Sequence, residues 1–241
     1  MQGGGSLSKF RGVEPSRLKS VILLSGGLDS SANLAFARHF DEPLLALTID
    51  YGQKAAGPEL RAAAALARHF SVPHRVLDLR WLGSLGGSAL TEGGLSVPAI
   101  RAGDLDDLSK TRDTASRVWV PNRNGLLINV AAAIAESMRA QQVVVGFNRE
   151  EAATFPDNSA QFLGVSNLAL KYSTRNGVKV ISYTEMMDKR EIVSALQRLP
   201  ETFPLELVWA CYEGGESPCG GCESCRRFER ATGKPAGRTG P

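Results

Sequence analysis

Short, uninterrupted apolar runs recur along this chain, each followed by an Ala- and Leu-rich stretch of helical length. Val21-Ile22-Leu23-Leu24 leads towards Ser30–Phe40, and Leu44–Ile49 leads towards Glu59–Phe70. His74–Leu79, Gln142–Gly146 and Val178–Tyr183 complete the expected strands; Asn124–Ala140, Phe162–Arg175 and Lys189–Leu199 complete the expected helices. Apolar runs without polar alternation suit strands buried on both faces, as in a parallel sheet covered by helices on both sides. The expected fold is therefore α/β, a doubly wound parallel sheet with right-handed crossovers. Residues 83–117 break the pattern. They are rich in Gly, Ser and Asp and are expected to form a long functional loop.

Composition narrows the function classes. At 241 residues the chain has room for one large domain and a small appendage. No stretch approaches the ~18 apolar residues of a membrane span. The start, Met1-Gln2-Gly3-Gly4-Gly5-Ser6, lacks the basic and apolar regions of a secretory signal. Net charge is +3, from 28 basic and 25 acidic residues, too small to imply nucleic acid or membrane binding. The basic C-terminal end is read as a solvated face. These features together predict a cytoplasmic protein. The expected organisation is a flexible leader over 1–18, an α/β domain over 19–205, a small cysteine-bearing appendage over 206–230 and a flexible tail over 231–241.

The first strand ends in Leu24-Ser25-Gly26-Gly27-Leu28-Asp29-Ser30-Ser31. Gly26 and Gly27 let backbone turn sharply and approach a ligand. The serines add hydroxyls, and the following helix points its unpaired N–H groups and positive dipole end at the same place. The result is a cradle for pyrophosphate. Asp29 would repel phosphate unless Mg²⁺ bridges the two. There is no Gly-Lys-Ser/Thr of a P-loop, nor the Gly-x-Gly-x-x-Gly of a dinucleotide site.

All four cysteines lie at the far end, as Cys211-x7-Cys219-x2-Cys222-x2-Cys225. A disulfide framework would spread them. This spacing fits the tetrahedral shell of one structural Zn²⁺, with no position left open. An iron–sulfur cluster is the main competing occupant.

The phosphate loop resembles the pyrophosphate-binding motif of the ATP-pyrophosphatase (PP-loop) superfamily, whose fold is adenine nucleotide alpha hydrolase-like, of HUP type. Further strings resemble the 7-cyano-7-deazaguanine synthase (QueC-like) family. They are Asp50-Tyr51-Gly52-Gln53, Val120-Pro121-Asn122-Arg123-Asn124, Val145-Gly146-Phe147-Asn148, Phe155-Pro156-Asp157, Lys189-x-Glu191-Ile192 and the closing cysteine pattern. The resemblance runs from about Val21 to Arg227 and implies a reaction. ATP adenylates 7-carboxy-7-deazaguanine, ammonia gives an amide, and a second activation leaves the nitrile.

It also implies roles. Ser25, Gly26, Gly27, Asp29 and Ser30, with Leu24, Leu28 and Ser31 beside them, would hold pyrophosphate and Mg²⁺. The backbone around Thr48 to Tyr51, at a strand's carboxyl end, would hold adenine, with Asp50, Tyr51 and Gln53 also among the expected ATP-binding residues. Arg123 would bind a carboxylate or phosphate, and Lys189 would neutralise the leaving pyrophosphate. Ser25, Asp29, Arg123 and Lys189 form the expected catalytic set. Asn122, Asn148, Phe155 and Asp157 join Arg123 at the substrate, with Asp157 expected on the 2-amino edge of the ring and Asn148 expected either to read the base or to cap a turn. His39, His69 and His74 are read as structural. The family resemblance suggests a homodimer.

Some strings depart from the family pattern. Where the family commonly has Cys-Arg-Pro-Glu-Phe after aromatic-Pro-Asp, this chain has Asn158-Ser159-Ala160-Gln161-Phe162; Lys54-Ala55 stands where Arg-His is common, and Asn122 where Gly is. The departures point to a divergent member whose acceptor is ammonia or another amine, including a protein amine. A tRNA-modifying thiolase and a zinc-stapled nucleotide-binding module are the alternative classes.

Overall fold

The computed structural model describes residues 17–236. Residues 1–16 and 237–241, which hold most of the expected leader and the end of the expected tail, lie outside the described residues. The strands are β1 (Lys19–Leu23), β2 (Glu42–Asp50), β3 (His74–Asp78), β4 (Gln142–Val144) and β5 (Lys179–Ile181). The helices are α1 (Leu28–Phe40), α2 (Ala56–His69), α3 (Leu108–Arg117), α4 (Arg123–Ser137), α5 (Arg149–Ala152), α6 (Ala160–Ser173), α7 (Lys189–Leu196) and α8 (Glu223–Thr232). The sheet order is β3-β2-β1-β4-β5, and every pair is parallel.

Strand residues alternate between two cores, as a period of two requires. Ile22, Ala46 and Val144 pack under α1, α2 and α7. Val21, Leu45, Leu47 and Val143 pack under α4 and α6. The sheet is covered on both faces, which is why its strands read as continuous apolar runs. The expected doubly wound fold stands.

The winding reverses between β1 and β4, and the crevice above the carboxyl ends of these strands is where such sheets bind ligands. Gly146 shows how tightly the crevice is built. A Cβ on it would lie 2.5 Å from the backbone nitrogen of Ser30, at the start of α1. Any larger residue would push the first turn of α1 away from the segment that follows β4.

Residues 83–117 are not a plain loop. They contain the 3-10 turn Ala102–Asp104 and helix α3. Asp107 caps α3, accepting from the backbone nitrogens of Ser109 (3.0 Å) and Lys110 (3.3 Å). The helix escapes a hydrophobic-periodicity reading because its buried residues are Thr111, Thr114 and Ala115. Thr114 bonds the Glu223 carboxylate of α8 at 2.5 Å. Helix α8 itself runs to Thr232, past the boundary expected at 230.

Thr48 and His74 lock three strands together. The Thr48 hydroxyl donates to the Leu24 carbonyl (2.7 Å), which uses its one proton. It therefore accepts from Nε2 of His74 (2.8 Å), and His74 is the neutral Nε2–H tautomer.

Two predictions follow from these contacts. Gly146→Ala should lower stability by about 1–3 kcal/mol, the usual cost of forcing atoms into a filled space, seen as a reduced urea midpoint. Burial holds the pKa of His74 below its ordinary value. On acidification the unfolded chain therefore takes up this proton first, and stability falls as pH drops below about 6.5. His74→Gln should flatten that part of a plot of urea midpoint against pH.

Candidate active site

The phosphate loop forms as its sequence suggests. Gly26 sits at φ +84°, and a Cβ there would strike Ala62 and the Glu59 carbonyl at 2.9 Å. Gly27 precedes the first turn of α1. Ser25 and Ser30 bond through their hydroxyls (2.9 Å), Ser30 Oγ also accepts from the Ser25 backbone (3.1 Å), and Gly27 N–H donates to Ser25 Oγ (3.3 Å). Ser31 donates back to the Gly27 carbonyl at 2.6 Å. The loop is thus preshaped, with the free N–H groups of the first turn of α1 at its rim.

Lys189 opens α7 behind a capping box made by Asp188 and Glu191. Its side chain is buried, and Nζ pairs with Asp29 and with Glu151 Oε1, the latter at 2.9 Å. Burial pushes the Asp29 carboxyl up to about 6, against the opposing pull of Lys189. Burial alone would lower Lys189, but the two carboxylates outweigh it and hold its pKa well above the lysine range. Asp29 Oδ1 is buried without a partner. An orphaned carboxylate oxygen beside a phosphate cradle suits a hard divalent cation.

Arg123 begins α4, after Asn122 in the left-handed region at φ +50°. The guanidinium bonds Tyr51 Oη (3.3 Å) and lies 5.6 Å from the centre of its ring. Phe155 is buried against Trp119, the two rings stacked at 6.4 Å.

The four Sγ atoms of Cys211, Cys219, Cys222 and Cys225 all lie within 4.8 Å of one another. Backbone N–H groups of Glu213 and Cys219 point at Cys211 Sγ, each at 3.3 Å. Thiolate ligands are stabilised in this way, and the set fits one tetrahedral ion. The appendage is tied to the rest of the site twice. Trp209 N–H donates to the Gly26 carbonyl (2.9 Å). Arg227 of α8, buried, pairs with Glu223 (2.7 Å) and with Glu150 (3.1 Å), the neighbour of Glu151.

These parts surround one cleft of about 230 Å³. Of the expected residues, Leu24, Ser25, Gly27, Leu28, Asp29, Ser30, Tyr51, Gln53, Arg123, Phe155, Lys189 and Cys211 line it. Others serve it from behind. The Thr48 hydroxyl is engaged inside the sheet. Asp50 caps the backbone of Gly52 (3.0 Å). Asn148 is buried and caps α5 through Glu151 N–H (3.0 Å). Asn122 is exposed and shapes the entry to α4. Asp157, expected on the substrate ring, is not among the lining residues; its backbone accepts from Asn124 (3.3 Å), and burial raises its pKa against the pull of Arg123.

The sequence reading missed Glu59, Glu151, Trp209 and Tyr212, which also line the cleft. Tyr212 stands beside Cys211 in the closing cysteine pattern, but no motif marks the other three. Glu59 looks like an ordinary acidic residue in a helix's first turn, and only the fold turns it inward.

Removing Lys189 tests the buried triad. Lys189→Met leaves two buried carboxylates without their cation and should cost about 3–5 kcal/mol, read as a lower urea midpoint. Adding Asp29→Asn should recover part of that loss.

The comparisons with known proteins agree with this geometry. The chain is 54% identical over 214 residues to the 7-cyano-7-deazaguanine synthase of Desulforudis audaxviator, covering 89% of this chain and 96% of the relative. It is 51% identical to the protein of that name from Desulforamulus reducens, covering 89% and 93%. Among solved structures it is similar to the U34-tRNA thiolase NcsA from Methanococcus maripaludis with its 4Fe-4S cluster, at 14% identity and a TM-score of 0.47, covering 91% of this chain and 67% of that one. That likeness is too distant to bear on chemistry. The family model described as Queuosine biosynthesis protein QueC matches residues 19–234, nearly all of the described chain, and the chain belongs to that family.

Proposed function

We propose that this chain is a 7-cyano-7-deazaguanine synthase, an ATP-dependent C–N ligase that makes the nitrile from 7-carboxy-7-deazaguanine and ammonia in queuosine biosynthesis. Relatives of that name match it almost end to end. The observation that carries the reading is that the pyrophosphate loop, Arg123 and Lys189 line one cleft. Adenylation of the carboxylate releases pyrophosphate. Ammonia then displaces AMP, losing a proton, and gives the amide. Adenylation of the amide oxygen releases a second pyrophosphate, and loss of AMP and a proton leaves the nitrile. Each step replaces a poor oxygen leaving group with AMP.

The Ser25–Ser31 loop and the start of α1 would take the pyrophosphate, with Ser25, Gly26, Gly27, Ser30 and Ser31 shaping the cradle. The apolar slot of Leu23, Leu47, Ile49, Leu127 and Ile128 suits a flat adenine. Arg123 would hold the substrate carboxylate, a role its fixed planar fork fits. Lys189 would offset charge on the departing pyrophosphate. Mg²⁺, when bound, would neutralise phosphate charge, and Asp29 is the residue placed to hold it. Zn²⁺ would be held by the four cysteines in a closed, structural shell; their close spacing suits one ion better than the wider frame of an iron–sulfur cluster.

In this reading residues 19–205 form the ATP-binding unit and 206–230 the zinc-binding appendage. The protein works in the cytoplasm; among the described residues no helix is long and apolar enough to cross a membrane. A homodimer is supported by α6, which leaves Val165, Leu168 and Tyr172 exposed along one side. A second reading, in which another amine replaces ammonia, draws on Asn158. It stands where the family commonly has cysteine, and it lines the cleft.

The test is mass spectrometry of products from zinc-loaded protein, Mg-ATP, 7-carboxy-7-deazaguanine and ammonium, with Ser25→Ala as control. Nitrile, AMP and pyrophosphate are expected, with the control slowed by about 10²–10³-fold if the hydroxyl acts as a preorganised donor. AMP with adenylate or amide alone would favour the other amine. No AMP would overturn the assignment. Metal analysis should return one zinc per chain.

A further inference from the structure

The cleft has two differently built ends. Leu47, Ile49 and Ile128 belong to the core under α4. Leu90, Val118 and Phe155 belong to a separate cluster, and Tyr51 packs against both. Glu59 lines the cleft from α2 and is the one acidic lining residue outside the Asp29–Lys189–Glu151 triad.

Gln53 determines how Glu59 is presented. Oε1 of Gln53 accepts from the Tyr51 backbone N–H at 2.9 Å, which identifies that atom as oxygen. The amide nitrogen therefore faces Glu59 and donates to Oε2 at 2.8 Å. Glu59 is left as an acceptor whose second oxygen has no partner among the described residues. Burial pushes its carboxyl up to about 7, against Gln53 and Arg123, so the group gains from any N–H donors that reach it.

A pair of adjacent N–H donors is the complement of such a carboxylate. The pyrimidinone edge of a 7-deazaguanine offers that pair, at N1 and the 2-amino group. Adenine does not, because its amino group sits beside an N1 lone pair that a carboxylate repels.

We infer that Glu59, oriented by Gln53, binds the N1–H and 2-amino edge of the substrate ring and makes the enzyme select a guanine-type base. The inference rests on the substrate proposed above and adds a specificity residue to it.

The experiment compares 7-carboxy-7-deazaguanine with its analogue lacking the 2-amino group, in wild type, Glu59→Gln and Glu59→Asp. Pyrophosphate release gives kcat and KM for each base and for ATP. Wild type should prefer the 2-amino compound by about 10- to 100-fold in kcat/KM, the range for a charge-assisted hydrogen bond. Glu59→Gln should lose most of that preference through a raised KM for the 2-amino compound, with KM for ATP unchanged. Glu59→Asp should keep part of the preference, which separates recognition from general damage to the fold. Wild-type turnover with the preference intact in Glu59→Gln would overturn the inference alone, as would a rise confined to the KM for ATP. Wild-type protein that consumes neither base would overturn the proposed reaction and this inference with it.

Discussion

The ammonium of Lys189 holds together parts of the chain that have little else in common. Asp29 comes from the first turn of α1, Glu151 from the short helix after β4, and Lys189 from the start of α7 beyond β5. A buried cation between two carboxylates leaves the group one negative charge in excess, and desolvation makes that excess costly. The cost falls where a bound cation and phosphates would enter. The cleft is therefore built around an electrostatic imbalance that ligands can relieve. Glu150, next in the chain to Glu151, meets Arg227 and the backbone of Lys189 (3.1 Å). The same strut reaches α8 and the cysteine cluster.

Around this centre the cleft separates tasks by chemistry. Its apolar slot lies under α4, where the strand ends are sealed by Leu127 and Ile128. Its polar pieces, Arg123, Gln53 and Glu59, gather round Tyr51. The loop from Ser25 to Ser31 sits between, where backbone N–H groups can serve both ligands of an adenylation. In the proposed reaction the two oxygens of one carboxyl group are activated in turn, and such an arrangement suits it because each must reach an α-phosphorus from the same side while the ring stays in place.

Much of this was legible in the sequence, and the reasons are particular. Val21-Ile22-Leu23-Leu24 could be read as a buried parallel strand because both its faces pack against helices. Gly26 could be read as part of a phosphate cradle because a positive φ and a close backbone contact both demand glycine. The four cysteines could be read as one ligand set from their spacing, and their sulfurs do converge. Residues whose function depends on direction were not legible. The Thr48 hydroxyl, for one, is consumed by His74 and Leu24 inside the sheet. Glu59 and Glu151 carry no signature, since a carboxylate in a first helical turn is ordinary until the fold decides which way it faces. Helix α3 stayed hidden because polar contacts hold it, Thr114 to Glu223 above all, rather than an apolar stripe.

The contact between Trp209 and Gly26 couples two parts of the chain that lie far apart in sequence. The backbone N–H of Trp209 secures the Gly26 carbonyl, and Trp209, Ala210, Cys211, Tyr212 and Phe228 all help to wall the cleft. The glycine loop and the cysteine-bearing segment are thus mechanically joined. Loosening that segment would free one wall of the cleft and a support of the loop in the same event.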